Sequence, residues 1–245
     1  MDFISVVYAL LFYLASVIFV VFVARKIYQY ATVPAPLKIP TMPAPLTKSG
    51  VALRLAREVV FFESLFRSNK WIWLFGWMFH LALLVVLLRH LRYFIDPVWM
   101  WVALIQPFGK YASFFMLIGL AGLLARRIVV ERIRYISNPS DYLMLLLLLL
   151  IGMSGTMLTF VLHTDIVQLK AFTLGVLYFD WQPLPKDPAV LVHLGAVIAL
   201  MIIFPFSKLL HAPGIFFSPS RNQVDNAREK RHIAEWATKL ETPNN

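Results

Sequence analysis

The sequence predicts an all-α membrane protein of five transmembrane helices, with its N-terminus periplasmic and its C-terminus cytoplasmic. Two observations predict it. Apolar residues make up 60% of the chain and charged residues 15%, and the apolar ones fall in blocks of about twenty, the length that crosses a bilayer as helix. Lysines and arginines cluster beside the ends of those blocks, and one alternating topology places every basic loop on the same side. The net charge of +10 therefore reports orientation and contact with anionic lipid, and nucleic acid is excluded as a partner. The chain contains no cysteine. That excludes disulfides, thiolate-held iron–sulfur clusters and thioether-linked heme within it.

The first span runs from Phe3 to Ala24, with Asp2 before it and Arg25-Lys26 after it, and lacks the basic n-region of a signal peptide. The segment that follows carries Arg25, Lys26, Lys38, Lys48, Arg54, Arg57, Arg67 and Lys70, and is assigned to the cytoplasm. Its first half, ATVPAPLKIPTMPAPL, is proline-rich and predicted to be extended. Its second half places Val51, Leu55, Val59, Phe62 and Phe66 at helical spacing. This amphipathic helix reads either as a docking face for a cytoplasmic partner or as a helix lying on lipid. The second span covers Trp71 to about Ile95 and returns through an outer loop, DPVWMWVALIQP, whose Trp99 and Trp101 suit the interface. The third span, Phe108 to Ala125, ends at the basic run holding Arg126, Arg127, Arg132 and Arg134. The fourth, Tyr142 to Leu162, is capped at its start by SNPSD and ends at His163-Thr164-Asp165. After a charge-poor outer loop, the fifth span covers Ala189 to about Leu210. Residues 1–215 thus form the membrane domain, and 216–245 a basic cytoplasmic tail in which His232 is solvated.

Four histidines stand out. His80 and His90 lie ten residues apart in the second span, and His193 and His211 eighteen apart in the last apolar run. Imidazole is a poor guest in hydrocarbon, so ionisable groups placed there call for partners. The two spans run in opposite directions, which matches His80 with His211 toward the cytoplasm and His90 with His193 toward the outside. Along the helix axes the separations are about 15 Å and about 27 Å. Tilt, a bend at Pro205 and the reach of the rings must absorb the difference of about 12 Å. Eighteen residues complete five turns and ten fall about 80° short, so each pair shares one side of its helix. Four such imidazoles suffice to ligate two noncovalent hemes.

Other candidates surround these. Arg89 and Arg92 flank His90 and suit heme propionates, or else lipid phosphate. Lys208 and Arg126 are the corresponding cations near the inner pair, without support from spacing. Gly76 and Gly195 read either as room for a flat macrocycle or as ordinary helix packing. A quinone slot near the outer pair could draw on Tyr93, Asp96, Lys110, Tyr111, His163 or Asp165, and the sequence does not choose among them. The leucine run from Leu145 to Leu150 reads as lipid-facing. Two readings of other classes also stand beside the heme reading: a transporter or channel whose histidines relay protons or bind a transition metal, and a structural anchor for a soluble enzyme. The internal repeats that mark many transporters are absent.

The five-span layout with histidine spacings of ten and eighteen resembles the respiratory nitrate reductase gamma subunit family, di-heme cytochromes b that exchange electrons with quinone. The likeness covers most of the chain. More narrowly, KLLHAPGIFFSPSRNQVDNAREKRH after the fifth span resembles the DsrM-type cytochrome b subunits of DsrMKJOP membrane complexes of dissimilatory sulfur metabolism. The resemblance implies two heme b groups, with His80 and His211 on the inner iron and His90 and His193 on the outer, and quinone or quinol as substrate. It further implies an electron-transfer subunit of the cytoplasmic membrane, a cytoplasmic iron–sulfur partner of heterodisulfide-reductase type (DsrK-like), and further Dsr subunits. A chain without cysteine fits that division of labour.

Overall fold

With no water in a bilayer to satisfy peptide groups, a spanning chain must bond its backbone within itself, and helices do so segment by segment. The computed structural model describes residues 2–35 and 37–226, and among these there is no strand. The part of the predicted tail from 227 to 245, with His232, lies outside the described residues. Five helices are long and apolar enough to cross a membrane.

Helix α1 (Phe3–Thr32) starts at Asp2, whose carboxylate accepts from the Ser5 amide at 2.9 Å and pairs with Lys186 at 2.8 Å. The Lys186 ammonium, then Ser5, hold the Asp2 carboxyl below the usual carboxylate range. Of the proline-rich segment, Ala31 and Thr32 still belong to α1, the described residues from Val33 to Leu46 contain no helix, and the backbone pairs with the segment after α10. Thr41 N donates to Ser220 O at 2.9 Å, Asp225 N to Pro45 O at 2.8 Å, and Gln223 bridges Leu37 and Ile39.

The predicted amphipathic helix is two helices, α2 (Lys48–Phe61) and α3 (Glu63–Ser68). Between them Phe62 sits in the left-handed region at φ 52°. That conformation costs a non-glycine residue about 1–2 kcal/mol, and it ends α2 so that α3 starts anew and packs on α4 (Lys70–His90). The indole N–H groups of Trp73 and Trp77 donate to the carbonyls of Phe61 and Val60 at 2.7 and 3.0 Å. These are carbonyls at a helix C-terminus, which lack partners inside their own helix.

α5 (Met100–Val129) begins eight residues before the predicted third span and absorbs most of the predicted outer loop, with Pro107 accommodated inside it. α6 (Glu131–Ile136) is a short basic turn of helix, and α7 (Pro139–Phe160) begins with the predicted cap, an Asn138–Asp141 capping box. The charge-poor outer loop contains a helix that the sequence reading did not foresee, α8 (Ile166–Tyr178), packed on the Leu91–Tyr93 turn that follows α4. α9 (Pro188–Ile203) stops seven residues short of the predicted end, and His211 opens a separate short helix, α10 (His211–Gly214). A last turn, α11 (Pro219–Asn222), packs on α2.

The spanning helices are neighbours in the order α4, α5, α7, α9, α1. The α4–α5 contact is the most intimate. A Cβ on Gly119 would lie 3.0 Å from both Phe75 O and Phe79 N, so the two backbones touch, the small-residue packing that membranes favour. Phe79, Ala82, Met116 and Leu120 are buried in that seam. Ala9, Phe172, Leu184 and Val190 form a second buried cluster that holds α8 and its following loop on α1 and α9. Tyr8 and Tyr13 of α1 donate to Leu191 O and Val176 O there, at 2.8 and 2.7 Å. Many other apolar side chains, Val17, Val20 and Val21 among them, stay exposed, as a lipid-facing surface requires.

Candidate functional site

α4 and α9 make no close backbone packing with each other among the described residues, yet their histidines meet. The ring centres of His90 and His193 are 6.4 Å apart, with the planes nearly parallel at 15°. Those of His80 and His211 are 5.8 Å apart and nearly perpendicular at 82°. With metal–nitrogen bonds of about 2 Å and a ring nitrogen about 1 Å from its ring centre, two imidazoles on opposite sides of one metal ion have centres about 6 Å apart. Both pairs meet that distance.

The other ring nitrogen decides the chemistry. His80 Nδ1 is 2.7 Å from Gly76 O and His90 Nδ1 is 2.7 Å from Val86 O, each a carbonyl four residues earlier on α4. His211 Nδ1 is 3.0 Å from Lys208 O. His193 Nδ1 reaches across to α7, 3.1 Å from Ile151 O and 3.0 Å from Ser154 Oγ. A carbonyl only accepts, so all four Nδ1 atoms carry the hydrogen, and in the neutral ring each Nε2 keeps its lone pair. This is the outer-shell pattern of metal-ligating histidine. Among the described residues no cluster of three or more His, Asp or Glu is assembled. A transition ion held by protein alone needs three or four ligands, whereas a macrocycle supplies four and leaves two axial positions. The donor set of each couple, two imidazoles without a third protein ligand among the described residues, fits heme.

Aromatic rings line both pairs. Phe62 and Phe79 stand edge-on to His80 at 5.0 and 4.8 Å, and Tyr93 lies 5.9 Å from His90. The left-handed turn at Phe62 thus brings a side chain from the segment before α4 to a histidine within the apolar helix. Beside His211 a cavity of about 840 Å³ opens between the end of α1 and the segment after α9, lined by Lys26, Gln29, Tyr30, Leu210 and Phe217 among others.

Arg89 and Arg92 lie at the His90 end. Arg89 NH1 is 3.4 Å from Thr159 Oγ1 and Arg92 NH1 is 3.2 Å from Gln106 Oε1, neutral acceptors both. Gly109 lets the Arg89 side chain lie across α5, since a Cβ there would come within 2.6 Å of Arg89 Cβ. Lys110 sits over the Phe160 ring at 4.8 Å, while Asp96 is paired with Lys170 and Asp165 caps α8. Lys208, near the inner pair, is engaged by Asp141 at 2.7 Å. At Gly76 and Gly195 an added Cβ would meet only Leu65 Cδ2 at 3.7 Å and Tyr8 Oη at 3.5 Å, so neither serves a tight helix contact. Ser154 and Gln106 escaped the sequence reading. Their signal was a polar side chain inside an apolar run.

Ser154 is one of two acceptors for His193, so Ser154→Ala leaves the Ile151 carbonyl in place. Complete loss of such a partner costs about 10- to 100-fold in metal affinity. The expected loss of outer-site heme retention, measured against a competing apo-globin, is below about 10-fold.

Residues 62–224 match the nitrate reductase gamma subunit family, a stretch that contains all four histidines. The chain belongs to the nitrate reductase gamma subunit family. This member is 33% identical to an Hdr-like menaquinol oxidoreductase cytochrome b-like subunit of Archaeoglobus fulgidus, over 91% of this chain and 81% of that one. It is 31% identical to the subunit of the same description in Archaeoglobus profundus, over 94% and 82%. Together with the five apolar helices, membership makes this gamma-type subunit a multi-pass membrane protein.

Proposed function

We propose that this chain is a di-heme cytochrome b of the cytoplasmic membrane that passes electrons between quinol and a cytoplasmic iron–sulfur subunit. The observation that carries this reading is the pair of metal-spanning histidine couples whose four Nδ1 atoms are all tied to protein acceptors. Heme b, when bound, supplies one-electron redox chemistry at each couple. His90 and His193 hold the outer group, His80 and His211 the inner. Arg89 and Arg92, whose hydrogen bonds among the described residues go to neutral acceptors, orient the outer propionates through charge-assisted hydrogen bonds. The relatives' name favours menaquinol as the quinol, bound at the outer end, where Tyr93 lies 5.9 Å from His90. Oxidising it there releases two protons outside while its two electrons leave inside, which separates charge across the membrane. The reverse direction uses the same parts.

The proposed orientation has the N-terminus outside and the C-terminus inside. The grouping of Lys26, Arg127, Lys208 and Arg221 at the His211 end supports that orientation. "Hdr-like" in the relatives' description supports a partner of heterodisulfide-reductase type. A DsrK-like partner, DsrM identity and a place in dissimilatory sulfur metabolism rest on the likeness of the tail.

The deciding experiment is a dithionite-reduced minus oxidised spectrum of the purified chain, with heme counted per polypeptide as the pyridine hemochrome. Two b-type hemes are expected. A folded, heme-supplied but colourless protein would overturn the reading and promote the transporter or anchor. The ring planes add a second expectation for low-temperature electron paramagnetic resonance. Parallel imidazoles split the iron π orbitals and perpendicular ones leave them nearly degenerate. The outer heme is therefore expected to give a rhombic ferric signal and the inner one a strongly anisotropic signal.

A further inference from the structure

The segment that carries His211 is not a continuation of the transmembrane helix. After Ile203 the chain tightens into a 3-10 turn over Phe204–Phe206, Ser207 is extended at φ −108° and ψ 171°, and a second 3-10 turn, Lys208–Leu210, leads into α10. A ligand beyond such a break takes its depth and ring direction from whatever anchors the segment, not from α9.

The anchor is visible. Lys208 Nζ lies 2.7 Å from Oδ1 and 2.8 Å from Oδ2 of Asp141, a carboxylate whose side chain is 6% exposed. Asp141 is itself fixed at the start of α7, where its Oδ2 accepts from Asn138 N at 3.1 Å and faces Arg127 of α5 at 3.4 Å. On the other side of Lys208, its carbonyl accepts from His211 Nδ1 at 3.0 Å. One residue therefore holds the buried carboxylate through its side chain and the imidazole through its backbone. Tying α7 to α5 needs only Arg127, yet the shorter contacts go to Lys208.

We propose that Asp141 is a positioning residue for His211, setting through Lys208 the depth of the inner ligand and the angle of its ring to His80. This rests on the reading of His80 and His211 as axial ligands of one heme. Asp141 touches neither ring. It fixes the loop whose carbonyl fixes the imidazole.

The test uses the full membrane-inserted, heme-loaded chain and four variants, Lys208→Gln, Asp141→Asn, the double variant of these two, and Lys208→Arg. Heme content of the unaltered protein is read first, so that failure of the two-heme reading shows there, independently of any variant. Lys208→Gln leaves Asp141 its Arg127 and Asn138 contacts, and so keeps the test usable if Asp141→Asn does not fold. Expected for Lys208→Gln is a shift of the anisotropic inner signal toward rhombic and a loss of inner-heme retention of about 10-fold or more, with the outer signal unmoved. Asp141→Asn shifts the signal in the same sense, the double variant goes no further than either single one, and Lys208→Arg restores the wild-type signal. Two results would overturn the proposal. One is an inner signal that stays at its wild-type position in Lys208→Gln. The other is a set of midpoint potentials that move in opposite directions in Lys208→Gln and Asp141→Asn with both signals unchanged, which is the mark of bare charge.

Discussion

Replacing His193 with alanine is expected to halve the heme content, from two groups per chain to one, and to abolish reduction of the remaining heme by quinol. The two couples share only α4, along which they lie about 15 Å apart, since His193 stands on α9 and His211 on α10; they share no histidine and no Nδ1 acceptor. His193 is held from α7, whereas His211 is held by its own loop. Losing the outer ligand leaves the inner couple and its aromatic neighbours, Phe62 and Phe79, untouched. The hemochrome count reads the first effect, and reduction of the membrane-bound chain by a menaquinol analogue reads the second. The rhombic signal should be the one that disappears. Loss of both hemes from a folded His193→Ala chain would show that the couples are not independent.

Gly119→Leu is expected to remove both hemes. Its Cβ would press on Phe75 O and Phe79 N at 3.0 Å, backbone atoms of α4 that cannot swing aside. Overpacking a well-filled contact costs about 1–3 kcal/mol, and here relief requires α4 to move away from α5. α4 carries His80 and His90 together, so a displaced α4 misplaces one ligand of each couple. Gly195→Ala is the control, because its added methyl meets only Tyr8 Oη at 3.5 Å and should retain both hemes. Heme content of each variant, with elution as a single species on size exclusion, separates a displaced helix from a misfolded chain.

Much of this architecture was legible in the sequence because a bilayer enforces it. Apolar runs of spanning length had to be helices, and antiparallel order left one way to match His80 with His211 and His90 with His193. What the sequence did not disclose lies where local rules compete. The residues from Met100 to Pro107 carry loop signals, a tryptophan and a proline, but continue α5, inside which Pro107 forgoes one backbone hydrogen bond. α8 is too short to register as a span and too apolar to register as a surface helix. Pro205 was seen as a bend, whereas the chain breaks outright at Ser207. The axial mismatch of about 12 Å between the two histidine spacings was the visible trace of that break. Ser154 and Asp141 act on histidines from another helix, directly and through Lys208, and one chain's local pattern carries no sign of such contacts.

The break at Ser207 also bears on biogenesis. Both outer ligands stand on uninterrupted spanning helices, so that site exists once α4, α7 and α9 have been inserted. The inner couple needs His211, which is made only after α9, and beyond it Ser220, Gln223 and Asp225 bond to the proline-rich segment made near the start of synthesis. On the di-heme reading, synthesis order thus leaves the His211 end of the bundle as the last to complete its cofactor site. A nascent chain truncated after α9 would be expected to carry its outer prosthetic group alone.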